Sequence, residues 1–156
     1  MKTDFFKLYA LLATSLLFLD RLTKHIVMYC VPHLEVNSFF SIDLVFNRGM
    51  SFGLFHSHDV IIFTAVNILI GSVIALLAAH TYARIVHDQL VVGEIFIFTG
   101  AISNIIDRCV HGGVVDFIAF SYHDWSFAVF NVADMFIFFG VMLMLILEYH
   151  ESWQKQ

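Results

Sequence analysis

Proline occurs once and cysteine twice in 156 residues, and charged side chains make up only 13% of the chain. With one proline, no low-complexity tract and no linker-like stretch, nothing marks a boundary, and a single domain over residues 1–156 is expected. Cys30 and Cys109 are too few and too far apart for a zinc ribbon or a C-x-x-C redox motif. The burial preference of free cysteine reads them as two buried thiols. A disulfide between them stays open if both lie on an oxidising side. The formal net charge of -5 is spread in single residues, which argues against a polybasic surface, so no nucleic-acid partner is expected.

Apolar surface is what the chain has instead. Hydrophobic residues make up 60% of it and the mean hydropathy is +0.83, far above a soluble domain, so it reads as a membrane protein. Uncharged runs near 20 residues are candidate spans of a hydrocarbon core about 30 Å thick. Val60 to Ala83 and Val129 to Leu147 contain such runs, and Leu90 to Ile106 qualifies with Glu94 near its start. The run Leu8 to Leu19 rises only about 18 Å as a helix. It spans only if the helix continues through Asp20 to about Met28. Lys2 and Lys7 ahead of it imitate a signal peptide, but Asp20, Arg21 and Lys24 follow in place of a cleavage site, which reads as a retained helix. The expected fold is an all-α membrane protein with four transmembrane helices, near 8–28, 60–82, 90–107 and 129–148.

Four spans put both termini on one side and gather the polar motifs on the other. Asp20 to Lys24 ends span one, Asn47 to Gly53 lies in the first loop, Asn104 to Asp116 ends span three, and Asn131 to Asp134 opens span four. A random scatter of polar residues would not fall on one face, and costly groups of this kind point to a shared site. The positive-inside tally is even: Lys2, Lys7, Arg84 and Lys155 against Arg21, Lys24, Arg48 and Arg108. Termini inside are favoured because the motif-side cations have local partners to serve, whereas Lys2, Lys7 and Arg84 have none evident. In the first loop, Val36 to Phe46 mixes β-branched, aromatic and polar residues and is followed by Gly49 and Gly53, which suggests a short β-platform on the membrane surface.

Asp20 and Lys24, four apart, share a helix face in the better order for an ion pair. Asn104, Asp107 and Arg108, at i, i+3 and i+4, share another. Either set is readable as an internally satisfied polar knot or as part of a site. Asp116 follows the Gly112–Gly113 turn and leads into F-I-A-F, a stretch able to dip back into the interface. Asp134 follows Asn131 by three at the mouth of the last span. Two carboxylates meeting in a low-dielectric site share a proton, so one can take a proton from water while the other polarises a carbonyl. The same two residues are equally readable as a proton relay in a small carrier or channel, or as fittings of a non-catalytic assembly subunit.

The motifs taken together favour the first reading. D-R-L-T-K at Asp20 to Lys24, F-N-R-G-M-S-F-G at Phe46 to Gly53, S-N-I-I-D-R and G-G-V-V-D-F-I at Ser103 to Ile118, and F-N-V-A-D at Phe130 to Asp134 resemble bacterial lipoprotein signal peptidase, or signal peptidase II. The resemblance implies a four-helix aspartic protease of the bacterial inner membrane, with cytoplasmic termini and a site towards the periplasm. Its substrates would be diacylated prolipoproteins, cut just before the lipidated cysteine, and membrane lipid would be its other partner. By the same resemblance Asp116 and Asp134 are the catalytic dyad, Asn104 and Arg108 hold the substrate backbone, and Asp20 and Lys24 form the supporting shell. Asn47, Gly49, Asp107 and Asn131 complete the site, which needs no cofactor and no metal. Both aspartates lie in one chain, so a monomer suffices. The chain departs from the family's usual small residues at Met50 and Ser51, and has Ser103 where glycine is common.

His56 and His58 form an H-x-H pair, and His25, His111 and His123 fall on the same side. Without H-E-x-x-H or a carboxylate-rich ligand set they read as surface or interfacial histidines. Tyr29, Tyr122, Trp125 and Trp153 stand where interfacial anchors belong.

Overall fold

The computed structural model describes residues 2–49, 60–123 and 125–153; Met50, Ser51, Gly53, His56, His58 and Lys155 lie outside them. Four helices, α1 (Lys2–Tyr29), α2 (Val60–Val86), α3 (Val92–His111) and α4 (Val132–Trp153), accompany four short strands, β1 (His33–Glu35), β2 (Phe40–Asn47), β3 (Val114–Tyr122) and β4 (Trp125–Ser126). The helices lie where the apolar runs put them; α1 is longer at both ends and α2 at its C-terminal end, while α3 and α4 begin two or three residues later than expected and run four or five further. α1 does continue unbroken through Asp20 and Lys24.

Among the described residues, only α2 and the Val132–Glu151 stretch of α4 are long and apolar enough to cross a membrane by composition alone. α1 and α3 fall short because they carry charge: Lys7, Asp20, Arg21 and Lys24 on one, Glu94, Asp107 and Arg108 on the other. Apart from the exposed Lys7 and the half-buried Arg21, those charges face inward. Asp20, Lys24, Glu94, Asp107 and Asn131 are wholly buried, while Phe6, Phe18, Ile61, Leu76, Phe138 and Ile146 stand exposed. An apolar exterior around a polar interior inverts the usual arrangement of a soluble domain and suits a surrounding of lipid.

α3 and α4 run antiparallel at very close range. A Cβ added at Gly93 would lie 2.6 Å from the Met144 backbone nitrogen and 2.7 Å from the Gly140 carbonyl oxygen. One at Gly100 would collide with the Ala133 carbonyl. Helices that cannot gain from the hydrophobic effect pack through small residues of this kind. Here the contact holds the start of α4 beside the end of α3.

The sheet is antiparallel in the order β1-β2-β3-β4. The first loop supplies β1 and β2, as expected. The stretch after Asp116, however, does not dip into the interface as an isolated segment; it is β3 and pairs with β2 from Asn47↔Val114 to Phe40↔Phe120. The turn into β3 is made by Gly112, whose φ of 69° is the left-handed conformation that ends many helices, with its N–H donating to the Arg108 carbonyl at 3.1 Å.

Two sequence expectations fail. Cys30 and Cys109 are unpaired and exposed, not buried, since each sits at the end of a helix whose apolar side chains turn outward. Arg84 is not without partners: it pairs with Glu94 at 2.8 Å, Glu151 at 3.2 Å and Glu148 at 3.4 Å, all reached across helix interfaces. Arg84 therefore no longer argues for either orientation of the chain.

Candidate active site

The local folding of α4 sets Asp134. Asn131 stands just ahead of the helix, its side-chain oxygen accepting the Asp134 N–H at 2.9 Å while the Asp134 carboxylate accepts the Asn131 N–H at 3.3 Å. This reciprocal cap satisfies two backbone donors that a helix start would leave unpaired. It also holds a carboxylate at the positive end of the helix.

Sheet register sets Asp116. Val45 pairs with Asp116 and Asn47 with Val114, so Asn47 and Asp116 are diagonal neighbours on one face. Asn47 Nδ2 donates to Asp116 Oδ2 at 2.9 Å, and the Asn47 oxygen accepts the Gly49 N–H at 2.9 Å. Asn131 Nδ2 donates to the other Asp116 oxygen at 2.6 Å. One residue, Asn131, thus touches both aspartates.

Behind the aspartates lies a buried ion-pair network. Lys24 Nζ is 2.8 Å from Asp20 and 2.7 Å from Asp107, and Arg21 also pairs with Asp107. The two acids do more than balance charge. Asp20 accepts the Ala133 N–H in the first turn of α4 at 2.8 Å, and Asp107 accepts the Val115 N–H at the start of β3 at 3.2 Å. The network therefore fixes the backbone next to each aspartate. Breaking a buried pair of this kind by removing one partner typically costs about 3–5 kcal/mol.

Asn104 links network and aspartates. Its Oδ1 accepts from Lys24 at 2.8 Å and from Asn131 at 3.2 Å, and its Nδ2 donates to Asp134 at 3.0 Å. Arg108 donates to the Gly49 carbonyl at 2.6 Å, tying the end of α3 to the chain just after β2. All ten sequence-predicted residues, Asp20, Lys24, Asn47, Gly49, Asn104, Asp107, Arg108, Asn131, Asp116 and Asp134, fall within this one connected set. Sequence reading missed Ser103 and Arg21 as members. Ser103 donates to Asp20 at 2.5 Å and Arg21 reaches both the Ser103 carbonyl and Asp107.

Asp116, Asp134, Asn47, Asn104 and Arg108 line a cavity of about 110 Å³, with Ile70, Ala101, Val114 and Ile137 as its apolar walls. Mostly apolar in its walls, it presents the two carboxyls, two amides and Arg108 that a water needs as partners, and is roomy enough to hold one. Burial, and then the nearby charge of Asp134, push the Asp116 carboxyl up to about 7, against the opposing donation from Asn47 and Asn131. Asp116 consequently holds a proton at pH values where an ordinary aspartate has lost it.

A second charged cluster lies at the opposite ends of the helices, where Arg84 meets Glu94, Glu148 and Glu151 and His80 meets Glu148 at 2.8 Å. On α3 the intervening Thr99 donates back to the Ile95 carbonyl at 2.7 Å rather than onward. Among the described residues no group of three His, Cys, Asp or Glu is placed to hold a metal ion. His25 lies tilted against Tyr29, and His123 meets Tyr122 edge-on.

The family model of signal peptidase II matches residues 12–150. The lipoprotein signal peptidase of Mesorhizobium japonicum is 34% identical over 140 residues, 88% of this chain and 82% of that protein. That of Rickettsia akari is 37% identical over 118 residues, 72% of this chain, and the match covers 57% of that longer protein. A solved bacterial membrane enzyme, determined by the in meso method, superposes with a TM-score of 0.74 at 24% identity over 96% of this chain and 92% of its own. That likeness concerns the fold.

Proposed function

Because the chain belongs to the signal peptidase II family, we propose that it is an aspartic endopeptidase of the bacterial inner membrane that cleaves diacylated prolipoproteins just before the lipidated cysteine. The observation that carries this reading is the meeting of Asp116 and Asp134 at one small cavity, both bonded to Asn131. The pair shares one proton. The ionised member takes a proton from water as its oxygen adds to the scissile carbonyl carbon, and the protonated member gives its proton to the carbonyl oxygen. When the carbon–nitrogen bond of the resulting diol breaks, the aspartate that took the water proton gives it to the leaving amine, the other takes one from a diol hydroxyl as the new carboxyl forms, and the shared-proton state is restored.

All four helices cross the membrane as a single domain over 1–156, with Asp20 and Lys24 of α1 and Glu94, Asp107 and Arg108 of α3 turned from lipid into the interior. The termini are cytoplasmic and the site opens towards the periplasm, where the sheet receives the substrate and its lipid. The exposed rings of Tyr29, Tyr122, Trp125 and Trp153 suit the two interfaces. A monomer carries the whole site. Arg108, beside the Gly49 carbonyl, holds the substrate backbone.

The test is incubation of the purified protein in detergent with a synthetic prolipoprotein peptide, with and without its diacylglyceryl group. Mass spectrometry is expected to show cleavage before the lipidated cysteine and none of the bare peptide. Cleavage elsewhere, or equal cleavage of both, contradicts the reading.

A further inference from the structure

Lys24 has three N–H bonds and three acceptors. Its wholly buried side chain places Nζ 2.8 Å from Asp20 Oδ2, 2.7 Å from Asp107 Oδ2 and 2.8 Å from Asn104 Oδ1. The first is an ion pair within α1, four residues apart, and the second joins α1 to α3. The third reaches an amide that touches the dyad, and it has a directional consequence. An ammonium only donates, so the Asn104 atom facing Lys24 must be oxygen; a flipped amide would set NH2 against NH3+. Nδ2 is thereby turned towards Asp134 Oδ1, 3.0 Å away. The other two amides at the dyad are held differently, Asn47 by the Gly49 N–H and Asn131 by the Asp134 N–H. The Asn104 oxygen faces an ammonium, and Asn131 Nδ2 donates to the same oxygen at 3.2 Å.

We propose that Lys24 is a positioning residue for proton transfer: by fixing the Asn104 amide it keeps Asp134 an acceptor, the aspartate that takes the proton from water, and leaves Asp116 to carry the shared proton. The inference rests on the endopeptidase reading above. The shift of Asp116 to about 7 agrees with it. The charged groups packed around Lys24 are Asp20 and Arg21 from α1, Asp107 and Arg108 from α3, Asp116 from β3 and Asp134 from α4. Arg21 is engaged by Asp107 and Arg108 by the Gly49 carbonyl. Asn104 is then the hydrogen-bonded path from Lys24 to the dyad.

The experiment measures kcat and KM against pH for cleavage of the diacylated peptide by the full chain in detergent. The variants are Asn104→Leu, the charge-balanced pair Asp20→Asn with Lys24→Met, and all three together. Asn at position 20 retains an oxygen for the Ala133 N–H. Asn104→Leu and the balanced pair are each expected to lower kcat about 100-fold with KM within about two-fold. A carboxylate that loses an N–H donor keeps its proton to higher pH, so the acid limb of kcat moves up by about one pH unit in both. The triple variant is expected to be no slower than Asn104→Leu, because residues acting through one another do not add.

Asn104→Leu leaves both ion pairs of Lys24 in place, so its acid limb reads the bond from Asn104 to Asp134 alone, and the balanced pair reads whether Lys24 acts through it. An unmoved acid limb in Asn104→Leu, or losses that multiply in the triple variant, overturns the proposal. Failure of the wild type to cleave overturns the endopeptidase reading, and this inference with it.

Discussion

Asn131 donates its side-chain amide to Asp116 across 2.6 Å, although the two stand at the start of a helix and in the middle of a strand. The same residue caps the helix that carries Asp134. The separation of the aspartates is therefore set by one short polar side chain rather than by the loop between β3 and α4. Asn131→Ala removes both functions. It is expected to lower stability by about 1 kcal/mol through loss of the cap. Cleavage should fall far more, by about 100-fold or beyond, because the dyad loses its spacing. Thermal unfolding and turnover, measured on one preparation, separate the two effects; a loss of activity no larger than the loss of folded protein contradicts the assignment.

Activity is expected to fall as pH rises through about 7. The Asp116 carboxyl is pushed up to about 7 by burial and by Asp134, and the mechanism needs it protonated. The sign is fixed: a raised acid is in its working form below that value and is lost above it. The alkaline limb of kcat/KM reports this group in the free enzyme. A flat profile from pH 6 to 9 would show that Asp116 is not the proton carrier.

Much of the candidate site was legible in sequence, part of it through helical spacing and the rest, Asn47, Gly49, Asp116, Asn131 and Asp134, through motifs that resemble the family. Asn104, Asp107 and Arg108 at i, i+3 and i+4 had to share a face, and Asp20 with Lys24 likewise. What escaped depended on pairings between distant segments. The stretch from Val114 to Tyr122 has no clean alternation because it is buried at one end and half-exposed at the other. Its union with β2 rests on contacts such as Asn47↔Val114 that no local pattern encodes. Ser103 looked like a departure from a family glycine, whereas its hydroxyl completes the shell of Asp20. Arg84 looked unpartnered because Glu94, Glu148 and Glu151 reach it across helix interfaces. The cysteines misled because a rule for soluble interiors was applied to a chain whose apolar side chains face outward.

Gly100→Ala tests how closely α3 must approach α4. A Cβ there meets the Ala133 carbonyl and lies 2.9 Å from Ile137 Cγ1, next to the cap that holds Asp134. Overpacking of this kind costs about 1–3 kcal/mol. Turnover is expected to drop together with the thermal midpoint. A variant with unchanged midpoint and activity would mean that the helices slide apart freely.

Arg84 and Glu94 offer a test of the opposite end of the helices. Both are buried and 2.8 Å apart. Arg84→Met leaves Glu94 without that partner and is expected to cost about 3–5 kcal/mol, whereas adding Glu94→Leu should restore much of the loss. Stability in a denaturant series reads the cycle. Cleavage by the folded fraction is expected to remain near wild type, since the pair lies away from the dyad; a proportionate loss of specific activity would tie this cluster to the reaction.

The central claim is that Asp116 and Asp134 together activate water. Its most direct measurement is cleavage of a synthetic diacylated prolipoprotein by purified wild type, Asp116→Asn and Asp134→Asn, with EDTA present and folding checked by thermal midpoint. The account predicts a single cut before the lipidated cysteine, unaffected by chelator and lost in each folded variant. Retention of most activity by either variant would contradict it.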